Sequence, residues 1–152
     1  MLPTGAIAGL DTVRAAAQGG LSSSKIVTRK PPNGLEGAPG IPDGVDILSL
    51  TEPMRIFAGT AREGAKLFPA NVNVAAALGL AGSGPDHTHL EIWADPAVTR
   101  NVHRIEVRSP AVDFDIDIRN VPSEANPRTG RVVSMSVVAS LRRLVDPLVV
   151  GT

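Results

Sequence analysis

The side chain best suited to moving protons near neutral pH is His103, because cysteine and tyrosine are both absent and the chain has only three histidines. It sits in NVHRIEVR (101–108), where alternation puts Asn101, His103, Ile105 and Val107 on one strand face and Arg104, Glu106 and Arg108 on the other. The imidazole therefore looks inward. A histidine on an apolar face is more often a hydrogen-bonded core residue than a catalyst, so both readings stand at this point. Asn73 raises a similar question inside the apolar run NVNVAAALGLAG. A buried carboxamide without partners costs about 1–3 kcal/mol, so something must satisfy it. Either Asn71 or Asn73 caps the helix start, or the Asn73 amide faces a polar ligand in a cleft.

Other constellations are weaker. DHTHLE (86–91) puts His87, His89 and Glu91 on one strand face, a spacing that could ligate a metal. No fourth ligand is implied, so this reads as the solvated side of a strand and no metal is expected. The acid row Asp113, Asp115 and Asp117 also reads as a solvated face, with arginines of an adjacent strand opposite it. GLAGSG (79–84) follows a helix and has the wrong glycine spacing for a dinucleotide turn. Unpaired amides at Gly5 and Ala6, at the start of the first helix, could face an anion, a property that every helix shares.

The elements that must position these groups are legible from periodicity. Thr4 caps a helix over about residues 5–18 with Ile7, Leu10, Val13 and Ala17 on one stripe. Lys25 to Arg29 is a β-branched strand that Pro31 and Pro32 terminate, and residues 31–44 form an irregular surface excursion. Thr60 and Glu63 have the spacing of a capping box, for a helix running to about Phe68. A second, largely buried helix opens near Asn71 and runs to Gly82. Strands follow at 89–94, 104–108 and 113–119, with Leu90, Ile92, Phe114, Ile116 and Ile118 facing inward. The last element, Arg131 to Val145, reads as an amphipathic helix laid on the sheet by Val133, Val137, Val138, Leu141, Leu144 and Val145.

Composition bounds the function. The 152 residues form a single domain, 1–152, long enough to bury a core. Fifteen Lys and Arg balance fifteen Asp and Glu, which removes the electrostatic footprint of a nucleic-acid binder. The absence of cysteine excludes a thiolate nucleophile, a disulfide framework and a Cys-type zinc site. No run reaches the roughly 18 apolar residues of a membrane span, and the expected location is the cytoplasm.

The segments GAIAGLD (5–11), TRKPP (28–32), IFAGTAREGAKLFPANVNVAAALGLAG (56–82), ADP (94–96), NVHRIEV (101–107), NVPSEANPRTG (120–130) and LRRLVDPLVVGT (141–152) together resemble the C-terminal domain of L-aspartate dehydrogenases. The resemblance covers nearly the whole chain. It implies NAD- or NADP-dependent oxidation of L-aspartate to iminoaspartate, which hydrolyses to oxaloacetate and ammonia or feeds NAD biosynthesis. It also implies that His103 is the catalytic histidine and that Ala6 and Asn73 contact the dinucleotide. Chemistry suggests Arg29, Lys30, Asn126 and Thr129 as donors for the substrate carboxylates.

Such enzymes carry a Rossmann domain ahead of this one, whereas here the four residues 1–4 lie before the GAIAGLD segment. The chain alone is therefore expected to bind the cofactor poorly, and a Rossmann-domain chain supplied separately would complete it. The expected fold is α+β: a mixed, largely antiparallel sheet with helices on one face, as in two-domain dehydrogenases, and a homodimer through the other face. A non-catalytic oligomerisation module, or a truncated remnant of such an enzyme, is the alternative.

Overall fold

The computed structural model describes residues 2–70, 72–124, 126 and 129–151; the proposed cap Asn71 lies outside them. Among the described residues the elements run α1 (Leu10–Ala17), β1 (Ser23–Lys30), β2 (Met54–Thr60), α2 (Ala61–Leu67), α3 (Asn73–Ala81), β3 (Thr88–Ala94), β4 (Val102–Arg108), β5 (Phe114–Arg119) and α4 (Val132–Arg142). Short 3-10 turns at Pro32–Gly34 and Ile47–Ser49 interrupt the irregular excursion. The sheet order is β2-β3-β1-β4-β5; β1 and β3 pair in parallel and every other pair is antiparallel. This is the expected mixed, largely antiparallel α+β arrangement.

The sheet folds this way because its inner strands alternate strictly. Ile26 and Thr28 of β1, Leu90 and Ile92 of β3, and Ile105 and Val107 of β4 are fully buried under α1, α2 and α3. The opposite face carries the charges. There Arg104 reaches Asp115 at 2.8 Å and Asp117 at 2.9 Å, and Arg108 reaches Asp115 at 2.7 Å. Asp115 and Asp117 of the acid row are thus neutralised by arginines of the neighbouring strand, as cross-strand pairing suggests, while Asp113 accepts from Ser109 N–H at 3.1 Å. The Thr60 capping box forms, with Glu63 N–H donating to Thr60 Oγ1 at 3.1 Å and Thr60 N–H to Glu63 Oε2 at 2.8 Å. No helix among the described residues is long and apolar enough to cross a membrane.

Three expectations need correction. First, α1 begins at Leu10 rather than near Gly5, and Thr4 does not cap it. Gly5 and Gly9 adopt φ of 66° and 79°, so residues 2–9 form a turned segment instead of helix. A Cβ at Gly9 would collide with Ile116, so this glycine allows the segment to cross close over β5. The amides of Gly5 and Ala6 consequently do not form a helix N-terminus. Second, the strands read from periodicity omit β2, whose residues alternate poorly and whose register in the sheet slips between Arg55 and Phe57.

Third, α4 does not lie on the sheet through its apolar stripe. Val133, Ser136 and Ser140 form its half-buried side, while Val137, Val138, Leu141 and Leu144 are exposed. The helix is turned this way by a polar contact: Gly5 N–H donates to Ser136 Oγ at 3.2 Å, and that hydroxyl donates to the Val133 carbonyl at 2.7 Å. The side facing inward thus includes two serines, while most of the apolar stripe stays outside.

Candidate functional site

Where β1 ends and β4 begins, a cavity of about 320 Å³ is bounded by the 2–6 segment, α3, the 129–130 turn and α4. His103 lies in its wall, 3% exposed, because it continues the inward alternation of Ile105 and Val107. In the β1–β4 register it stands directly opposite Thr28, so the two side chains share one face and meet. Thr28 Oγ1 and His103 Nδ1 are hydrogen-bonded at 3.0 Å. Burial, joined by the positive charge of Lys30, pushes the His103 pKa down to about 4, and the ring is neutral at physiological pH.

Lys30, the last residue of β1, faces the same cavity and is 5% exposed. It shares a face with Thr28 and Ile26, two and four residues earlier, whereas Arg29 necessarily points the other way. Arg29 pairs with Asp95 at 3.0 Å on the open face and stacks over Trp93, 4.8 Å from the ring centroid. Of the two cations proposed for substrate carboxylates, only Lys30 enters the cavity. Thr129 also lines it. Asn126 does not: it is exposed and borders a separate depression with Asn33, Arg100 and Pro122.

Asn73 opens α3 and is exposed on the cavity rim, not buried inside the helix. Val72, with no side-chain cap, occupies the N-cap position, so Asn73 is not the capping residue. Ala6 is half-buried and lines the opposite side. Its carbonyl accepts a hydrogen bond from Asn120 Nδ2 at 3.2 Å, and Asn120 is itself buried. A Cβ on Gly130 would come within 2.9 Å of the Asn120 amide oxygen, so glycine there lets the 120s loop close over it.

Thr28, Asn120 and Ser136 were missed as site-building residues. The partners of Thr28 and Asn120 lie 75 and 114 positions away, and no local pattern carries that information. The DHTHLE group also resolves: Glu91 pairs with Lys25 at 3.0 Å and accepts from Trp93 Nε1 at 2.9 Å on the open sheet face. A larger depression of about 820 Å³ adjoins the cavity between α1, α3 and residues 149–151, but no histidine lines it.

The arrangement brings a neutral imidazole, an ammonium and a carboxamide around a space of a size that suits a small molecule, at the low end of the roughly 300–1,000 Å³ usual for such sites. Comparison with known proteins gives it a context. The family model described as aspartate dehydrogenase, C-terminal, matches residues 11–144. The L-aspartate dehydrogenase of Bradyrhizobium diazoefficiens is 57% identical over all of this chain and 54% of its own length. That of Methanosarcina mazei is 40% identical over 99% of this chain and 56% of its own. The crystal structure of aspartate dehydrogenase from Thermotoga maritima superposes with a TM-score of 0.77 at 30% identity, over 99% of this chain and 55% of that one. The chain spans about half the length of the curated relatives it matches. It belongs to the family of aspartate dehydrogenase C-terminal domains.

Proposed function

We propose that this chain is the catalytic half of an L-aspartate dehydrogenase, working in the cytoplasm as a homodimer through the open face of its sheet. The reaction is oxidation of L-aspartate to iminoaspartate, which takes up water to give oxaloacetate and ammonia. What supports the reading most is the convergence of His103, Lys30 and Asn73 on one cavity in a chain of this family. In this reading Lys30 and the Thr129 hydroxyl bind substrate carboxylate oxygens, by charge and by hydrogen bonding respectively. His103 is the catalytic histidine, acting by hydrogen bonding at the carbon that loses nitrogen.

The cofactor is NAD or NADP. Its fit to this chain is partial. A cavity of about 320 Å³ takes a nicotinamide ring beside a four-carbon acid, with the Asn73 amide on the rim able to pair with a carboxamide, but it is too small for a whole dinucleotide. When bound, the cofactor accepts the hydride from the substrate Cα. The chain's own residues orient the acid and manage protons. Pyrophosphate and adenosine binding fall to a dinucleotide-binding domain, which would make up the remaining length of the relatives.

The test is consumption of NADH or NADPH with oxaloacetate and ammonia, by the chain alone and mixed with the dinucleotide-binding domain of a relative. Turnover is expected in the mixture and lost in the His103→Ala variant. No turnover in either sample would leave the fold as a non-catalytic assembly module.

A further inference from the structure

We propose that Thr28 fixes the proton of His103 on Nε2, so that the neutral ring presents an N–H to the cavity as a hydrogen-bond donor and not as a base. This rests on the dehydrogenase reading for its kinetic consequence, but its structural content stands apart from it.

A threonine hydroxyl can donate one hydrogen bond and accept two, and a neutral imidazole has one N–H and one bare nitrogen. Two pairings are therefore open for the 3.0 Å contact. If Nδ1–H donated to Thr28 Oγ1, the hydroxyl hydrogen would need an acceptor of its own. Thr28 is fully buried, and among the described residues His103 Nδ1 is the one hydrogen-bond partner of its hydroxyl. That pairing would strand a buried donor. In the other pairing the hydroxyl donates to Nδ1, and only oxygen lone pairs go unused, which costs far less. Nδ1 is thus the bare nitrogen and Nε2 carries the proton.

Nε2 is also placed to use it. Among the described residues it has no protein partner, yet the one side-chain atom sealed from solvent without a hydrogen bond is Ser24 Oγ. Nε2 therefore opens to the cavity that His103 lines. Burial and Lys30 keep the ring from taking a second proton. A neutral N–H next to an ammonium suits an oxygen that gains negative charge: the carbonyl of oxaloacetate during amination, or the hydroxyl of the water adduct in the reverse sense. Thr28 itself touches neither and is a positioning residue.

The experiment is nitrogen NMR of the chain labelled with 15N-histidine, using His87→Gln and His89→Gln to assign the His103 ring. The expected spectrum at neutral pH has a protonated Nε2 and a bare Nδ1. Thr28→Val should lose this fixed tautomer, and Thr28→Ser should restore it. In the complemented enzyme, Thr28→Val should lower kcat by about tenfold with KM little changed, and Thr28→Ser should recover most of that loss. A wild-type ring protonated on Nδ1, or a Thr28→Val ring with its tautomer unchanged, would overturn the proposal. If the tautomer behaves as expected while no mixture turns over, the dehydrogenase reading fails and the proton assignment stands. If the mixture turns over with the opposite tautomer, the reverse holds.

Discussion

His103 couples the site to the stability of the fold. In the folded chain its pKa is about 4, against 6.5 when unfolded, so between these values the unfolded state binds more protons. Stability must then rise with pH across that window and is at full strength above pH 6.5. Between pH 7 and pH 5 the loss attributable to this one ring is about 2 kcal/mol. The depressed carboxylates Glu63, Asp86, Glu91 and Asp115 start from ordinary values of 4.5 or 3.8 and act mainly below this range. Urea unfolding of wild type and His103→Gln at pH 7 and pH 5 checks it: the variant should lack most of the wild type's loss, and equal losses in both would contradict the buried neutral ring. The inward aim of His103 was legible because alternation through Ile105 and Val107 needs no knowledge of its neighbours. The opposed faces of Arg29 and Lys30 were equally available from period two, yet nominating both for one site ignored it. The hydrogen bond from Thr28 was not legible, since strand pairing creates it.

At the level of elements, α3 and α4 both read as apolar helices, and the fold uses them differently. Leu78 of α3 is 0% exposed, packed between α1 and the sheet, whereas Leu141 of α4 is 60% exposed. Leu78→Ala should destabilise the chain by about 2–5 kcal/mol, and Leu141→Ala should stay within about 0.5 kcal/mol. Urea midpoints at unchanged m-value measure both, and comparable losses would mean that α4 does press its leucines onto the sheet. The periodicity of α4 was visible, but which side faces inward was set by Gly5 N–H bonding Ser136. Similarly, the apolar stripe of α1 held from Leu10 onward while its start did not, because left-handed glycines before it redirect the chain. Capping at Thr60 needed only residues three apart and was read correctly.

The whole molecule has one covered sheet face and one open face, and the open one bears on the proposed dimer. Val27 and Trp93 are half-buried there amid the ion pairs of Lys25, Arg29 and Arg104. Sedimentation velocity should give twice the chain mass, and Val27→Lys, which puts an uncompensated charge in the middle of that face, should give monomer. A monomeric wild type would remove the dimer. Cofactor affinity tests the division of labour between the two halves of the family's length. In the proposed reading the cavity of about 320 Å³ takes the nicotinamide end of a dinucleotide. The contacts it can make there must offset the translational and rotational freedom lost on binding, and most of the dinucleotide contributes nothing to that balance. Calorimetric titration of the isolated chain with NAD+ or NADP+ should therefore show a Kd weaker than about 1 mM. Tight binding by this chain alone would mean that it holds the pyrophosphate itself, and the assignment of nucleotide binding to a second domain would have to be abandoned.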